Sequence, residues 1–404
     1  MTRMPPRTQA RRNDQAQGRF DPWLLLAIAA LAVFGVIMVA SASIAVADGR
    51  HYGAFFYLKR HLLFLTMGLA LAWGLTRIEL QYWERYSLVL ILLAVIALGL
   101  VFIPHLGMRI NGARRWINLG VTGFQPVEAV KLAVILYVAS YLVRHRQAVE
   151  RDLLGVVRPV GVTLLLVILL LLQPDFGSAV LLLAVVVGMI WLAGARMRNL
   201  MYLVMPLVPL FVWVATSQDY RIKRLTSFLD PWKDPFSNGF QLTQALIAVG
   251  RGHWFGVGLG DSVQKLFYLP EAHTDFILAV IAEELGFAGI LLVVAMFALL
   301  VGRALWLGML GLQLGQHYAA FVAFGVALMI GLQSAVSIGV NLGILPTKGL
   351  TLPLISSGGS SVIMTLAMLG LLLRAGYEIR RAEDGRRISA RSKTLKAVSV
   401  GVSS

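Results

Sequence analysis

Apolar and polar positions alternate along this chain on the scale of whole segments. Long apolar runs recur at about 22–43, 61–75, 87–104, 126–144 and 159–172. A break at Gln173–Ser178 is followed by further runs to about Gly194, at 200–216, 276–301 and 318–340, and after Ser361 to about Leu373. A helix needs ~20 apolar residues to cross a bilayer, and these runs lie near that length. The pattern predicts an all-α polytopic membrane protein with about ten transmembrane helices. Pro206 and Pro209 predict a kink in the seventh. One long polar stretch, Ser217 to Glu284, interrupts the series between the seventh and eighth helices. Within it, Leu242, Leu246 and Val249 fall at helical spacing and predict an amphipathic helix over Phe240–Val249 lying on the membrane surface.

Composition agrees. The chain is 58% hydrophobic and 14% charged, with a mean hydropathy of +0.76, which excludes a soluble domain. It has no cysteine, so disulfides, thiolate metal sites and cysteine nucleophiles are excluded. The first apolar run is long enough to stay as a span rather than act as a cleaved leader. The net charge is +16. Its basic residues flank the apolar runs, which points to membrane orientation and anionic lipid, with no nucleic-acid role. An even number of spans puts both termini on one side, and both tails are strongly basic, so that side is the cytoplasm. The expected organisation is a disordered basic cytoplasmic tail at 1–20, a transmembrane domain at 21–375 and a basic cytoplasmic tail at 376–404. Residues 217–275 form a large extracytoplasmic loop. The short loop with Arg109, Arg114 and Arg115 also falls outside, against the charge rule, and an anionic ligand would account for it.

Several polar constellations bear on chemistry. Glu271, His273 and Asp275 stand where the polar stretch meets the eighth span. Burial there raises a carboxylate's pKa and cations lower it, which suits a general base. The same residues could cap the helix through Thr274 or Asp275, or hold a metal through His273 and Asp275. Arg114-Arg115-Trp116 reads as an interfacial anchor or as a diphosphate clamp. Glu128 and Lys131, at i,i+3, read as an ion pair or as substrate contacts, and Glu283 and Glu284 pose the same alternative. Gly256-x-Gly258-x-Gly260 follows no strand and is not a nucleotide loop. Ser262-x-x-Lys265 lacks the companion motifs of a serine acyltransferase. Ser356–Ser361 reads as a small-residue turn at the start of the tenth helix, open either to close backbone packing or to a sugar-lipid headgroup.

Specific motifs run through nearly the whole chain. They are Asn111-Gly-Ala-Arg-Arg-Trp-Ile117, Gln125-Pro-Val-Glu-Ala-Val-Lys131, Gln173-Pro-Asp-Phe-Gly177, Thr226-Ser-Phe-Leu-Asp-Pro-Trp232, Leu269-Pro-Glu-Ala-His-Thr-Asp-Phe276 and Leu345-Pro-Thr-Lys-Gly-Leu-Thr-Leu-Pro-Leu-Ile355. From about residue 21 to about 380 the sequence resembles the SEDS family (shape, elongation, division and sporulation proteins). Ala272 before His273, and Thr347-Lys348-Gly349, look like the division type. Ser357 stands where the family pattern has Tyr.

The resemblance implies a peptidoglycan glycosyltransferase in septal cell-wall synthesis. It would polymerise lipid II, an undecaprenyl-diphosphate-linked disaccharide pentapeptide, at the outer face of the bacterial inner membrane. It implies a class B penicillin-binding transpeptidase and other divisome proteins as partners. The family's essential aspartate falls on Asp275, the expected catalytic base. Arg114, Arg115, Glu128, Lys131, Glu271, His273, Lys348 and Ser360 are the expected substrate-binding residues. No metal ligand is assigned, and a divalent cation such as Mg or Mn is a candidate helper at the diphosphate. The rival expectations are a lipid II flippase and a non-catalytic divisome scaffold.

Overall fold

The computed structural model describes residues 18–49, 53, 55–110, 113–118, 120, 123–237 and 239–401. Most of the expected N-terminal tail, and Asn111 and Gly112 of the first motif, lie outside these residues. The helices are α1 (Pro22–Gly49), α2 (Phe56–Arg77), α3 (Leu80–Arg85), α4 (Ser87–Leu100), α5 (Pro126–Arg144), α6 (Arg146–Arg151) and α7 (Leu153–Leu172). They continue with α8 (Phe176–Leu192), α9 (Met197–Thr216), α10 (Asp219–Leu229), α11 (Phe240–Gly252), α12 (Ile277–Gln313), α13 (His317–Asn341) and α14 (Gly359–Gly401).

Every apolar run of the sequence lies on one of these helices. Seven of them are long and apolar enough to cross a membrane, and α4 and α8 are shorter apolar helices. Exposed leucines, valines and tryptophans cover the outer faces of α2, α4 and α9, as expected of a bundle whose solvent is lipid. The fold is that of a helical polytopic membrane protein. α5 is the most enclosed of the seven, with 89% of its apolar window buried. Anything polar on it therefore sits inside protein.

Three features depart from the sequence expectation. First, the fold is not wholly helical. A small antiparallel sheet is formed by β1 (Gly107–Ile110), β2 (Ala113–Asn118) and β3 (Gly123–Phe124), with Met108 opposite Trp116 and Ile117 opposite Phe124. This stretch is too short and polar to cross, and cross-strand aromatic and aliphatic pairs stabilise a hairpin instead.

Second, α11 is packed against protein along one face. Leu242, Thr243, Ala245, Ala248 and Gly252 are buried, and the helix packs along α12. The approach is close because the contact face is small: a Cβ at Gly252 would meet the Ala282 carbonyl at 1.8 Å.

Third, α12 is broken at Gly286, which adopts φ 66° and ψ −162°. A break in a membrane helix frees backbone groups that need partners within the protein. The segment after α11 supplies them. Val257 and Gly258 donate N–H to the carbonyls of Glu283 and Glu284 at 3.0 and 3.1 Å, and Phe287 and Ala288 donate to His253 and Trp254 at 2.9 and 3.1 Å.

The glycine triplet is the device that makes this strap. Gly256 has φ 81°, and a Cβ there would lie 2.1 Å from the Glu284 carbonyl. The strap is anchored by buried ions. Glu283 accepts from Arg251, Ser262 and the N–H groups of Val263 and Gln264. Glu284 accepts from Ser41 at 2.7 Å and from Lys265 at 2.7 Å. Gly256→Ala is expected to destabilise the protein by about 1–3 kcal/mol from the positive φ alone, with the backbone clash added. Gly250→Ala, with open space around the new Cβ, should be neutral. Thermal unfolding of the two variants in detergent measures the difference.

Candidate active site

The site is built where the end of the polar stretch meets the loop between α13 and α14. Asp275 lies two residues before the first residue of α12 and is half-buried. It does not cap that helix: the N-cap position is Phe276, with no side-chain cap bond. The cap comes from a neighbour, since Ala279 N–H donates to Asn341 Oδ1 at 3.1 Å. Among the described residues nothing donates a hydrogen bond to the Asp275 carboxylate, which leaves its oxygens for an incoming donor. Burial, first, and the neighbouring Glu271 carboxylate push the Asp275 carboxyl up to about 7, while the Arg115 and Arg224 guanidiniums pull it down.

The facing wall is the segment from Leu345 to Ser357. Gly349 comes close, a Cβ there lying 3.1 Å from Asp275 Oδ2, so a larger residue would crowd the carboxylate. Next to it, Lys348 sets its ammonium 4.0 Å from the ring centre of Phe176. Lys348 and Phe176 also line one end of an open apolar groove of about 1020 Å³. The groove runs between α8, α9 and α13, and Val187, Trp191, Met205 and Leu328 are among its walls. Its lining is apolar apart from Lys348.

The expected substrate residues are not all in one place. Arg115 faces the site but is partly committed: its guanidinium donates to the carbonyl of Gln173 at 3.2 Å and to that of Pro174, pinning the turn before α8. Arg114, its neighbour on β2, is exposed. Glu271 is exposed, at φ 58°, and accepts from the Thr274 hydroxyl at 2.7 Å. The His273 ring lies 5.0 Å from that of Tyr57 on α2. Ser360 is buried in the first turn of α14.

Glu128 and Lys131 are sealed inside the bundle, 5% and 1% exposed. They pair with each other at 2.8 Å, enclosed by the surrounding helices. Lys131 is linked to the site through Gln333, which accepts from its ammonium at 3.0 Å and donates to the Thr351 carbonyl at 2.9 Å. Among the described residues no group of three or more His, Asp or Glu could hold a metal ion. The pairing of His273 with Asp275 therefore lacks further ligands.

The sequence reading passed over Gln333, Asn341 and Tyr57. Isolated amides in an otherwise apolar helix are the signal that marks the first two.

Comparison with known proteins decides the family. The sequence profile named for FtsW, RodA and SpoVE, described as "Cell cycle protein", matches residues 22–381. The chain belongs to this family. Among its relatives is a protein of Xanthomonas oryzae pv. oryzae named probable peptidoglycan glycosyltransferase FtsW, 55% identical over 375 residues, covering 93% of this chain and 76% of the relative. A protein of the same name from Nitrosococcus halophilus is 49% identical, covering 91% of this chain and 95% of the relative. A similar solved chain comes from a peptidoglycan synthase complex described by its structural coordination of polymerization and crosslinking. It is 32% identical with a TM-score of 0.72, covering 89% of this chain and 98% of that one. The rod shape determining protein RodA of Thermus thermophilus is 30% identical with a TM-score of 0.63, covering 88% and 96%.

Proposed function

We propose that the protein is a peptidoglycan glycosyltransferase that polymerises lipid II during septal wall synthesis, with Asp275 as its general base. The observation that carries this reading is the Asp275 carboxylate itself. Among the described residues it has no hydrogen-bond donor, it feels the charge of the Arg115 and Arg224 guanidiniums, and it faces Gly349, whose neighbour Lys348 lines an apolar groove suited to a polyprenyl chain.

The chemistry follows from the leaving group. A sugar held by a lipid diphosphate departs readily, so one carboxylate suffices where hydrolases use two. Asp275 takes the proton of the acceptor 4-hydroxyl. That oxygen bonds to the donor anomeric carbon as the carbon–oxygen bond to the diphosphate breaks. The electron pair leaves with the lipid diphosphate, and the configuration inverts. Arg115 and Lys348 supply fixed positive charge to the departing diphosphate. The polyprenyl tail lies in the groove between α8, α9 and α13.

This reading has a topology. Ten crossings put both termini in the cytoplasm and residues 217–275 outside, so Asp275 meets lipid II on the outer face of the septal membrane. A class B penicillin-binding transpeptidase is the partner that crosslinks the product, and the relative solved within a synthase complex supports such a pairing.

The test is glycan formation from purified lipid II in detergent, with the transpeptidase present. Polymer longer than the disaccharide is expected, because micelles have no sides to cross. A protein that makes no polymer in detergent but moves lipid II across sealed vesicles would be a flippase, and the proposal would fail.

A further inference from the structure

The loop carrying Asp275 is held at three successive carbonyls, each by a donor from another element. Ser357 N–H donates to the His273 carbonyl at 2.9 Å. The Ser356 hydroxyl donates to the Thr274 carbonyl at 2.7 Å. The Asn341 amide donates to the carbonyl of Asp275 itself at 2.9 Å. Ser356 and Ser357 hold the two preceding residues, and among the described residues Asn341 alone holds the Asp275 carbonyl.

Asn341 does more than hold one carbonyl. It is the last residue of α13 and is 1% exposed. Its amide also donates to the Ser337 carbonyl one turn earlier, at 2.8 Å, which fixes the side chain's rotamer. Its oxygen accepts from Ala279 N–H in the first turn of α12. An N-cap aspartate would normally bond those orphan N–H groups with its own carboxylate. Here a side chain from another helix does so.

We propose that Asn341 is the positioning residue of the catalytic carboxylate. By capping α12 from outside and gripping the Asp275 carbonyl, it keeps the Asp275 side chain off the helix N-terminus and aimed across the gap to Gly349. The inference rests on the reading of Asp275 as the base. It differs from a stability role because the effect of Asn341 on rate passes entirely through Asp275.

The test is a double-mutant cycle on lipid II polymerisation, in detergent and with the transpeptidase present. It uses Asn341→Ala, Asp275→Asn and the pair, and thermal unfolding checks that each variant is folded. Misplacing a reacting group by about 1 Å can cost ~10²-fold. Asn341→Ala is therefore expected to lower kcat by about 10–100-fold with KM for lipid II within about threefold. In the Asp275→Asn background the same change should lower the remaining rate by less than about threefold. Asn341→Ser, which keeps one donor and one acceptor, should recover part of the loss.

An equal fold-loss in both backgrounds would overturn the inference, and so would a folded Asn341→Ala with wild-type kcat. If neither Asn341→Ala nor Asn341→Ser folds, Asn341 is structural and the inference falls. A fully active Asp275→Asn would instead overturn the base assignment, so the two failures are distinct.

Discussion

Asp275→Asn is expected to lower glycan polymerisation by about 10²–10⁴-fold, the usual contribution of a positioned general base. KM for lipid II should barely change, because Asn keeps the shape of the side chain beside Gly349 while losing the capacity to take a proton. Asp275→Glu tests the geometry. It keeps the carboxylate but drives an extra methylene into a gap so narrow that a methyl added at Gly349 would lie 3.1 Å from Oδ2, and about 10²-fold should be lost.

Stability should move the other way. The folded protein holds Asp275 with its carboxyl raised to about 7, so the fold favours the protonated form. That contribution is complete below the unfolded carboxyl's ordinary pKa and is lost as pH rises through about 7. Asn carries no charge at any pH, so Asp275→Asn should match the wild type in acid and exceed it in thermal stability at pH 8. A variant that loses activity by unfolding would show the opposite.

Lys131→Met has the second large effect, and it falls on the fold. Glu128 would be left as a buried charge with no cation. Its Oε2 already lacks a hydrogen-bond partner, so the Lys131 ammonium at Oε1 is the compensation it has. Breaking a buried pair by removing one partner costs about 3–5 kcal/mol, whereas replacing both partners is often neutral. Lys131→Met should therefore unfold far more easily in detergent, and Glu128→Gln with Lys131→Met should recover most of the loss. If Lys131 instead gripped substrate, Lys131→Met would fold normally with a raised KM, and the second change would rescue nothing.

The sequence was most legible where a single residue's setting is local. The acidic threshold at Glu271–Asp275 stood out because charge gives way to an apolar run within a few residues. The membrane class was legible because crossing length is a property of one segment. Whatever depends on two distant segments was hidden. Glu128 and Lys131 read as an ion pair or as substrate contacts, and nothing local to α5 says that Gln333 of α13 accepts from Lys131. Asn341 is one amide in a helix of 25 residues, and nothing local says that it caps another helix. Gly256-x-Gly258-x-Gly260 was weighed only as a nucleotide loop, because the break at Gly286 that it mends lies thirty positions on. α11 looked amphipathic enough for the membrane surface, and its small residues mark the α12 contact only once α12 is in place. The hairpin at 107–124 escaped because run length separates spans from loops but says nothing of how a loop folds.

The claim that Asp275 is the base is tested most directly by the pH dependence of kcat/KM for lipid II, measured on wild type and Asp275→Asn side by side. The wild-type rate should rise with pH and level off with a midpoint near 7, where the Asp275 carboxyl ionises. The residual rate of Asp275→Asn should be flat through the same range. An Asp275→Asn enzyme that kept the wild-type limb would assign the titrating base to another group and contradict the account.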